Sequence, residues 1–534
     1  MPKHHQKTGR ATLTAAVHKP PVVIPGLGVD LPELQQARSL WGRNRFDESL
    51  KLFEGAVRTH PQNLVALTDA SRALGARFEI NRAEEMIDRL IKLGGDRPEI
   101  LHLAGQSYRM IFRPEKAIQC FERVMSRTKR IADAYLELAV LYERRHRIEE
   151  SLRMIEDCLR SAPDYQEAYL VKARLLRRLK DEKGSEAICR QLASEEQAHP
   201  QVRAQAWAEL AQMLDRNEQY DAAMGAMLKC KEFLQPEETE LLKESDAVQR
   251  QLRELAESLS ESHLERWRNE ARDFPVQNMA TLTGFPRTGT TLLEQVLDSH
   301  PGLVSSDERE AFARDIFPAM WLDQTTRLPT VAALDAIPRE RLAAQRQRYL
   351  AYMSAALNEP IGERVHLDKN PSLTLLIPAV LRLFPETRLL IALRDPRDVV
   401  LSCFMQYLPM NTNSVCFLTL ERAARRYAHD MNVWRRLRDI IGSPWLEVRY
   451  EDTVADIQKA ARRALEFFGL PWDPCVLNYR DRLKEKAVSS PTYEAVSQPV
   501  YKRAVSRWKH YEKYFGPALE ILKPSIEAFG YPAS

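Results

Sequence analysis

The sequence predicts an all-α helical-repeat solenoid followed by an α/β three-layer, P-loop-like domain built on a parallel sheet. Three observations predict it: small residues recurring at a fixed interval through the first half, a strand–glycine loop–helix pattern near residue 284, and a second buried strand ending in a charged turn near residue 394. At 534 residues the chain exceeds what one hydrophobic core supports, so more than one domain is expected.

The repeat comes first. Ala37, Ser71, Gly105, Ala139 and Ala173 lie 34 positions apart, and Ser49, Ala83, Ala117, Ser151 and Ser185 keep the same step, each twelve residues after its partner. A helix pair crossing closely needs small side chains at both crossing points. Period 34 with such pairs resembles the tetratricopeptide repeat, in which each helical hairpin buries its apolar stripe against its neighbours. Ala211 and Ala223 restart the pattern after a four-residue slip near Gln197–Arg203, which predicts a sixth repeat. Pro61 and Pro163 fall at equivalent repeat ends, where a helix must stop. The resemblance covers residues 31–237 and implies a groove for a peptide or partner protein. Residues 1–30 read as a flexible proline-rich arm, and the charged stretch 238–273 as a helical connector.

Residues 274–534 carry the chemistry. A β-prone run, Gln277–Thr283, leads into Gly284-Phe285-Pro286-Arg287-Thr288-Gly289-Thr290-Thr291 and then an amphipathic segment, Leu292–Ser299. A glycine loop opening a helix presents backbone N–H groups and the positive helix end to an anion. The spacing matches a nucleotide-phosphate loop, but Thr290 stands where that loop has lysine, which argues against an ATPase or kinase.

Pro286-Arg287-Thr288-Gly289-Thr290-Thr291 resembles the 5′-phosphosulfate loop of the sulfotransferases. The resemblance implies that Arg287, Thr288, Gly289, Thr290 and Thr291 hold the 5′-phosphate and sulfonate of 3′-phosphoadenosine-5′-phosphosulfate, the expected co-substrate. The strand Arg388–Leu393 runs into Arg394-Asp395-Pro396-Arg397-Asp398 and a helix with Ser402; in the same family an arginine and a serine eight positions later bind the 3′-phosphate. An arginine fork and a serine hydroxyl suit a phosphate chemically.

Two further residues are catalytic candidates. Glu308, in Ser305-Ser306-Asp307-Glu308-Arg309, resembles the general base of the tetratricopeptide-linked and tyrosylprotein branches, with Asp307 and Glu310 as neighbouring alternatives. Lys369, in Asp368-Lys369-Asn370-Pro371, resembles the lysine that meets negative charge on the departing phosphate oxygen, a role Arg287 can share.

Downstream, Glu447–Asp452 and Phe468–Trp472 read as structural, while Val488–Tyr511 holds Ser490 and Thr492, expected within reach of the cofactor. Gln406 and Gln498 replace basic residues of the tyrosylprotein branch, which counts against protein-tyrosine specificity. Trp321–Leu357 is expected to add helices near the acceptor mouth.

The implied function is sulfonate transfer to a hydroxyl on a protein, carbohydrate or small molecule; the alternative is a repeat-protein scaffold with an inactive nucleotide-binding domain. No metal is expected, since no His/Cys cluster suggests a site. The 78 basic and 74 acidic residues nearly balance, giving no drive toward nucleic acid. No apolar run is long enough to span a membrane, and seven scattered cysteines fit a reducing compartment, so a cytoplasmic location is expected.

Overall fold

The computed structural model describes residue 27 and residues 29–321, 330–481 and 502–533. Twelve helices form six antiparallel hairpins: α1 (Pro32–Trp41) with α2 (Phe46–Thr59), α3 (Leu64–Ala76) with α4 (Ile80–Gly94), α5 (Pro98–Met110) with α6 (Pro114–Arg127), α7 (Ala132–Arg144) with α8 (Ile148–Ser161), α9 (Gln166–Arg178) with α10 (Glu182–Ser194), and α11 (Pro200–Arg216) with α12 (Tyr220–Leu234). The recurring small residues are buried where the two helices of a hairpin cross. The Ser49 hydroxyl donates to the Ala37 carbonyl and the Ser151 hydroxyl to the Ala139 carbonyl, both at 2.7 Å. A Cβ on Gly105 would come within 2.8 Å of the Phe121 ring, so helix contact there demands glycine.

The four-residue slip is one added helical turn, because α11 has 17 residues where α9 has 13. A second regularity, invisible in residue type, accompanies the first. Asn44, Phe78, Phe112, His146, Lys180 and Glu218 occupy the same turn of successive hairpins, all with φ between 58° and 66°. This left-handed residue ends the first helix of each pair, and the next N–H reaches back to close the turn, as Arg113 does to Tyr108 at 2.9 Å.

α13 (Glu238–Ser258) and α14 (Glu261–Glu270) follow the array. The second domain is a five-stranded parallel sheet in the order β2-β3-β1-β4-β5, with β1 Met279–Thr283, β2 Leu303–Ser305, β3 Val365–Lys369, β4 Arg388–Leu393 and β5 Trp445–Arg449. Alternation along the strands gives two apolar faces. Ala280, Leu282, Leu390 and Ala392 pack on α15 (Thr290–Asp298) and α23 (Ile457–Phe468), one core layer. Met279, Leu389, Ile391 and Leu393 face the opposite layer, which includes α19 (Ile377–Leu383), α20 (Pro396–Phe404) and α21 (Leu420–Arg438).

That second core runs without a break into Leu192, Ala211 and Met227 of the array, so the solenoid and the sheet domain share apolar interior. Two sets of polar contacts add to it. Near the last repeat, Asp215 accepts from Arg507 at 3.0 Å and Tyr511 at 2.7 Å, and Lys231 donates to the Gln406 carbonyl at 2.9 Å. Near the second repeat, Tyr352 of α18 (Arg339–Leu357) donates to Glu79 at 3.2 Å.

Candidate active site

The carboxyl ends of β1, β3 and β4 converge at the centre of the sheet, the usual position of ligands in open parallel sheets. β1 leads into the glycine loop Gly284–Thr291. Gly284, at φ 148°, passes so close to β4 that any Cβ would collide with the Ala392 carbonyl oxygen. Thr288 turns back to the Phe285 carbonyl through its hydroxyl at 2.7 Å. Arg287 sits at φ 74°, an uncommon conformation for a side-chain-bearing residue, and Gly289 at φ 93° starts α15. A Cβ on Gly289 would lie 2.5 Å from the Tyr450 ring, so the loop can curve here only around glycine. Thr290 and Thr291 are buried in the first turn of the helix, whose N-terminal N–H groups and dipole favour an anion.

Arg394 and Ser402 join this loop directly. Arg287 Nε donates to Ser402 Oγ at 3.0 Å, while Arg394 donates to the Arg287 carbonyl at 3.1 Å and to the Ala504 carbonyl at 2.5 Å. Arg394 also lies over the Tyr450 ring at 4.8 Å. Its Nε is buried and finds no hydrogen-bond partner among the described residues, leaving a charged donor of the guanidinium for a ligand.

The two arginines of the Arg394-Asp395-Pro396-Arg397-Asp398 turn have separate tasks. Arg397 is fully enclosed: it pairs with Asp395 at 2.8 Å, stacks on Trp508 at 3.9 Å and donates to the Pro532 and Ala533 carbonyls. Asp398 accepts the N–H groups of Ser506 and Trp508 at 2.7 and 2.8 Å. Both therefore pin the C-terminal segment against the site. Ser490 and Thr492 lie outside the described residues, as does Gln498.

Lys369 closes β3. Fully buried, its ammonium contacts Asp307 at 2.8 Å, Glu308 at 2.8 Å and Glu294 at 3.1 Å. Burial by itself would lower its pKa, but the Glu294, Asp307 and Glu308 carboxylates outweigh that and raise it above the ordinary lysine value. The ammonium is thus held charged. Glu294 escaped the sequence reading because it sits inside the apolar run Leu292–Leu297; its one signal was a carboxylate in a stripe otherwise suited to burial. It stands one helical turn after Thr290 and so ties the lysine cluster to the glycine loop.

The three neighbouring acids differ in access. The Glu308 side chain is 28% exposed against 4% for Asp307, so of the two Glu308 is the one open to solvent while touching Lys369. Glu310 pairs instead with Arg314 one turn along the chain. Behind the cluster, burial pushes the Asp368 carboxyl up to about 6, opposed by the Tyr349 hydroxyl, which donates to it at 2.6 Å. Among the described residues no group of His, Cys, Asp and Glu is arranged to hold a metal ion. No helix there is long and apolar enough to cross a membrane.

Residues 280–474 match the model of the sulfotransferase family, and residues 136–202 match that of the tetratricopeptide repeat. Over these residues the chain is similar to the sulfotransferase family and to the tetratricopeptide repeat, on a fold that joins an array of helical hairpins to a parallel-sheet domain. It is similar to an uncharacterized protein of Aquifex aeolicus (strain VF5), 25% identical over 341 residues, which cover 62% of this chain and 43% of the other. It is also similar to protein-tyrosine sulfotransferase 1 of Danio rerio, 25% identical over 241 residues, 42% of this chain and 64% of that one. Among solved structures, the sulfotransferase domain of the Synechococcus PCC 7002 olefin synthase aligns at 21% identity and a TM-score of 0.34, covering 49% of this chain and 97% of that one. The chain spans about half the length of the curated relatives it matches.

Proposed function

We propose that the protein transfers a sulfonate group from 3′-phosphoadenosine-5′-phosphosulfate to a hydroxyl of an acceptor. The observation that carries this reading is the joining of the loop after β1 to the turn and helix after β4 through Arg287, which touches both Ser402 and Arg394, with the Lys369–Glu308 pair at the end of the neighbouring strand β3. A co-substrate with phosphates at two ends needs two such elements at a fixed separation. Arg287, Thr288, Gly289, Thr290 and Thr291 hold the 5′-phosphosulfate end, and Arg394 with Ser402 holds the 3′-phosphate. The bound co-substrate supplies an activated sulfonate.

Glu308, the accessible carboxylate of the cluster, takes the proton of the acceptor hydroxyl as the new S–O bond forms. Three carboxylates surround one ammonium, so the cluster has excess negative charge with which to receive that proton. Lys369 and Arg287 stabilise negative charge as it grows on the departing phosphate oxygen. The acceptor is a hydroxyl compound, peptide, carbohydrate or small molecule, and the repeat array binds that acceptor or a partner protein. A protein-tyrosine acceptor gains support from the names of the relatives and loses it from Gln406 and Gln498.

The test is calorimetric titration with 3′-phosphoadenosine-5′-phosphate, with ATP as the competing nucleotide. Binding that ATP does not match supports the reading; no binding, or preference for ATP, overturns it and leaves the array as the functional part.

A further inference from the structure

The segment that carries the base is not held by the sheet domain alone. Asp307 takes φ 52°, and Phe312–Ile316 follows as a single π-helical turn, a form common at functional sites. Between them Arg309 lies flat on the ring of Phe112 at 3.8 Å. Phe112 is the left-handed turn residue of the third hairpin. The equivalent turn of the second hairpin grips the far end of the same segment: Arg77 pairs with Asp315, which also meets Arg348 at 2.9 Å, and Phe78 contacts the Tyr352 ring at 6.1 Å. Asp315 is almost wholly buried, so this pairing is an anchored one.

We infer that the turns of the second and third repeats form a wall of the catalytic centre, with Phe112 acting through Arg309 as a positioning residue for Glu308. This rests on the reading of Glu308 as the base. A left-handed turn puts its side chain at the tip of the hairpin, and at that tip an aromatic ring can stack on a guanidinium where a smaller residue could not. Arg309 follows Glu308 directly in the chain, so movement of its side chain shifts the carboxylate relative to Lys369. The array thereby contributes to the chemistry itself as well as to any partner it holds.

The test uses the full chain with Phe112→Ala, Phe112→Tyr and, from the other side of the contact, Arg309→Met. Three quantities are compared: sulfonate transfer from 3′-phosphoadenosine-5′-phosphosulfate to a simple phenol across pH, affinity for 3′-phosphoadenosine-5′-phosphate, and amide hydrogen exchange over residues 306–316. The expected result for Phe112→Ala and Arg309→Met is a fall in kcat of about tenfold to a hundredfold, as for a misplaced catalytic group, with nucleotide affinity unchanged. The acidic limb of the pH–rate profile moves, exchange over residues 306–316 rises, and Phe112→Tyr restores all three. Unaltered exchange there, or a loss of rate that only follows loss of folded protein, overturns the inference. Should the unaltered protein bind no nucleotide, the proposed function fails, while the exchange comparison still decides whether Phe112 holds the segment.

Discussion

Arg287 Nε donates to Ser402 Oγ across 3.0 Å, joining two residues 115 positions apart in the chain. One contact thereby fixes the loop after β1 against the helix after β4. Arg394 also grips the Arg287 backbone carbonyl, so loss of the Arg394 side chain frees the loop from β4, and loss of the Arg287 side chain frees it from Ser402.

Arg394→Ala should weaken binding of 3′-phosphoadenosine-5′-phosphate by about tenfold to a hundredfold, the loss of a charge-assisted hydrogen bond of about 1.5–3 kcal/mol. Calorimetric titration measures it. An affinity equal to that of the unaltered protein would remove Arg394 from the phosphate site.

Glu308→Gln should reduce transfer by about 10²–10⁴-fold with nucleotide affinity preserved, because the acceptor proton loses its destination. Glu310→Gln should leave the rate unchanged, since Glu310 engages Arg314 and not Lys369. Reversal of the two outcomes in initial-rate measurements would move the base to Glu310.

Gly289→Ala should abolish nucleotide binding and lower stability. Its φ of 93° penalises a side chain by about 1–3 kcal/mol, and the new methyl would press on Tyr450. Thermal unfolding and calorimetry on the same preparation report both effects; a variant with unaltered Tm and affinity would refute the close packing.

Lys231 gives a pH prediction. Burial lowers its pKa to about 8, below the unfolded value, so folding disfavours its charged form relative to the unfolded chain. Its stabilising contribution is complete above the unfolded pKa near 10.5 and is lost as pH falls through about 8. Relative to Lys231→Met, the protein should gain about 2 kcal/mol between pH 7.5 and 9.5. Equal pH dependence of the two unfolding curves would contradict this.

The array was legible in the sequence because its order is local: the crossing residues of a hairpin are twelve positions apart, and each repeat restates the requirement after 34. The strand-to-loop-to-helix passage at Gly284–Thr291 was legible for the same reason, since glycines and hydroxyl residues were all within eight positions. The eight-residue spacing to Ser402 singled out Arg394 in the charged turn, but no local signal gave Arg397 its separate task. What divides them is Trp508 and the carbonyls of Pro532 and Ala533, brought from the other end of the domain.

The sequence by itself determined the repeat period, the sheet domain that follows it and the two loops after β1 and β4, because helical crossing distance and backbone curvature act over a few residues. Tertiary structure alone decided that Glu294, Asp307 and Glu308 gather on Lys369, and that Phe112 of the third repeat meets Arg309. A buried charge takes its partners from wherever the packed elements bring carboxylates together, and such a meeting leaves no spacing in the chain to read.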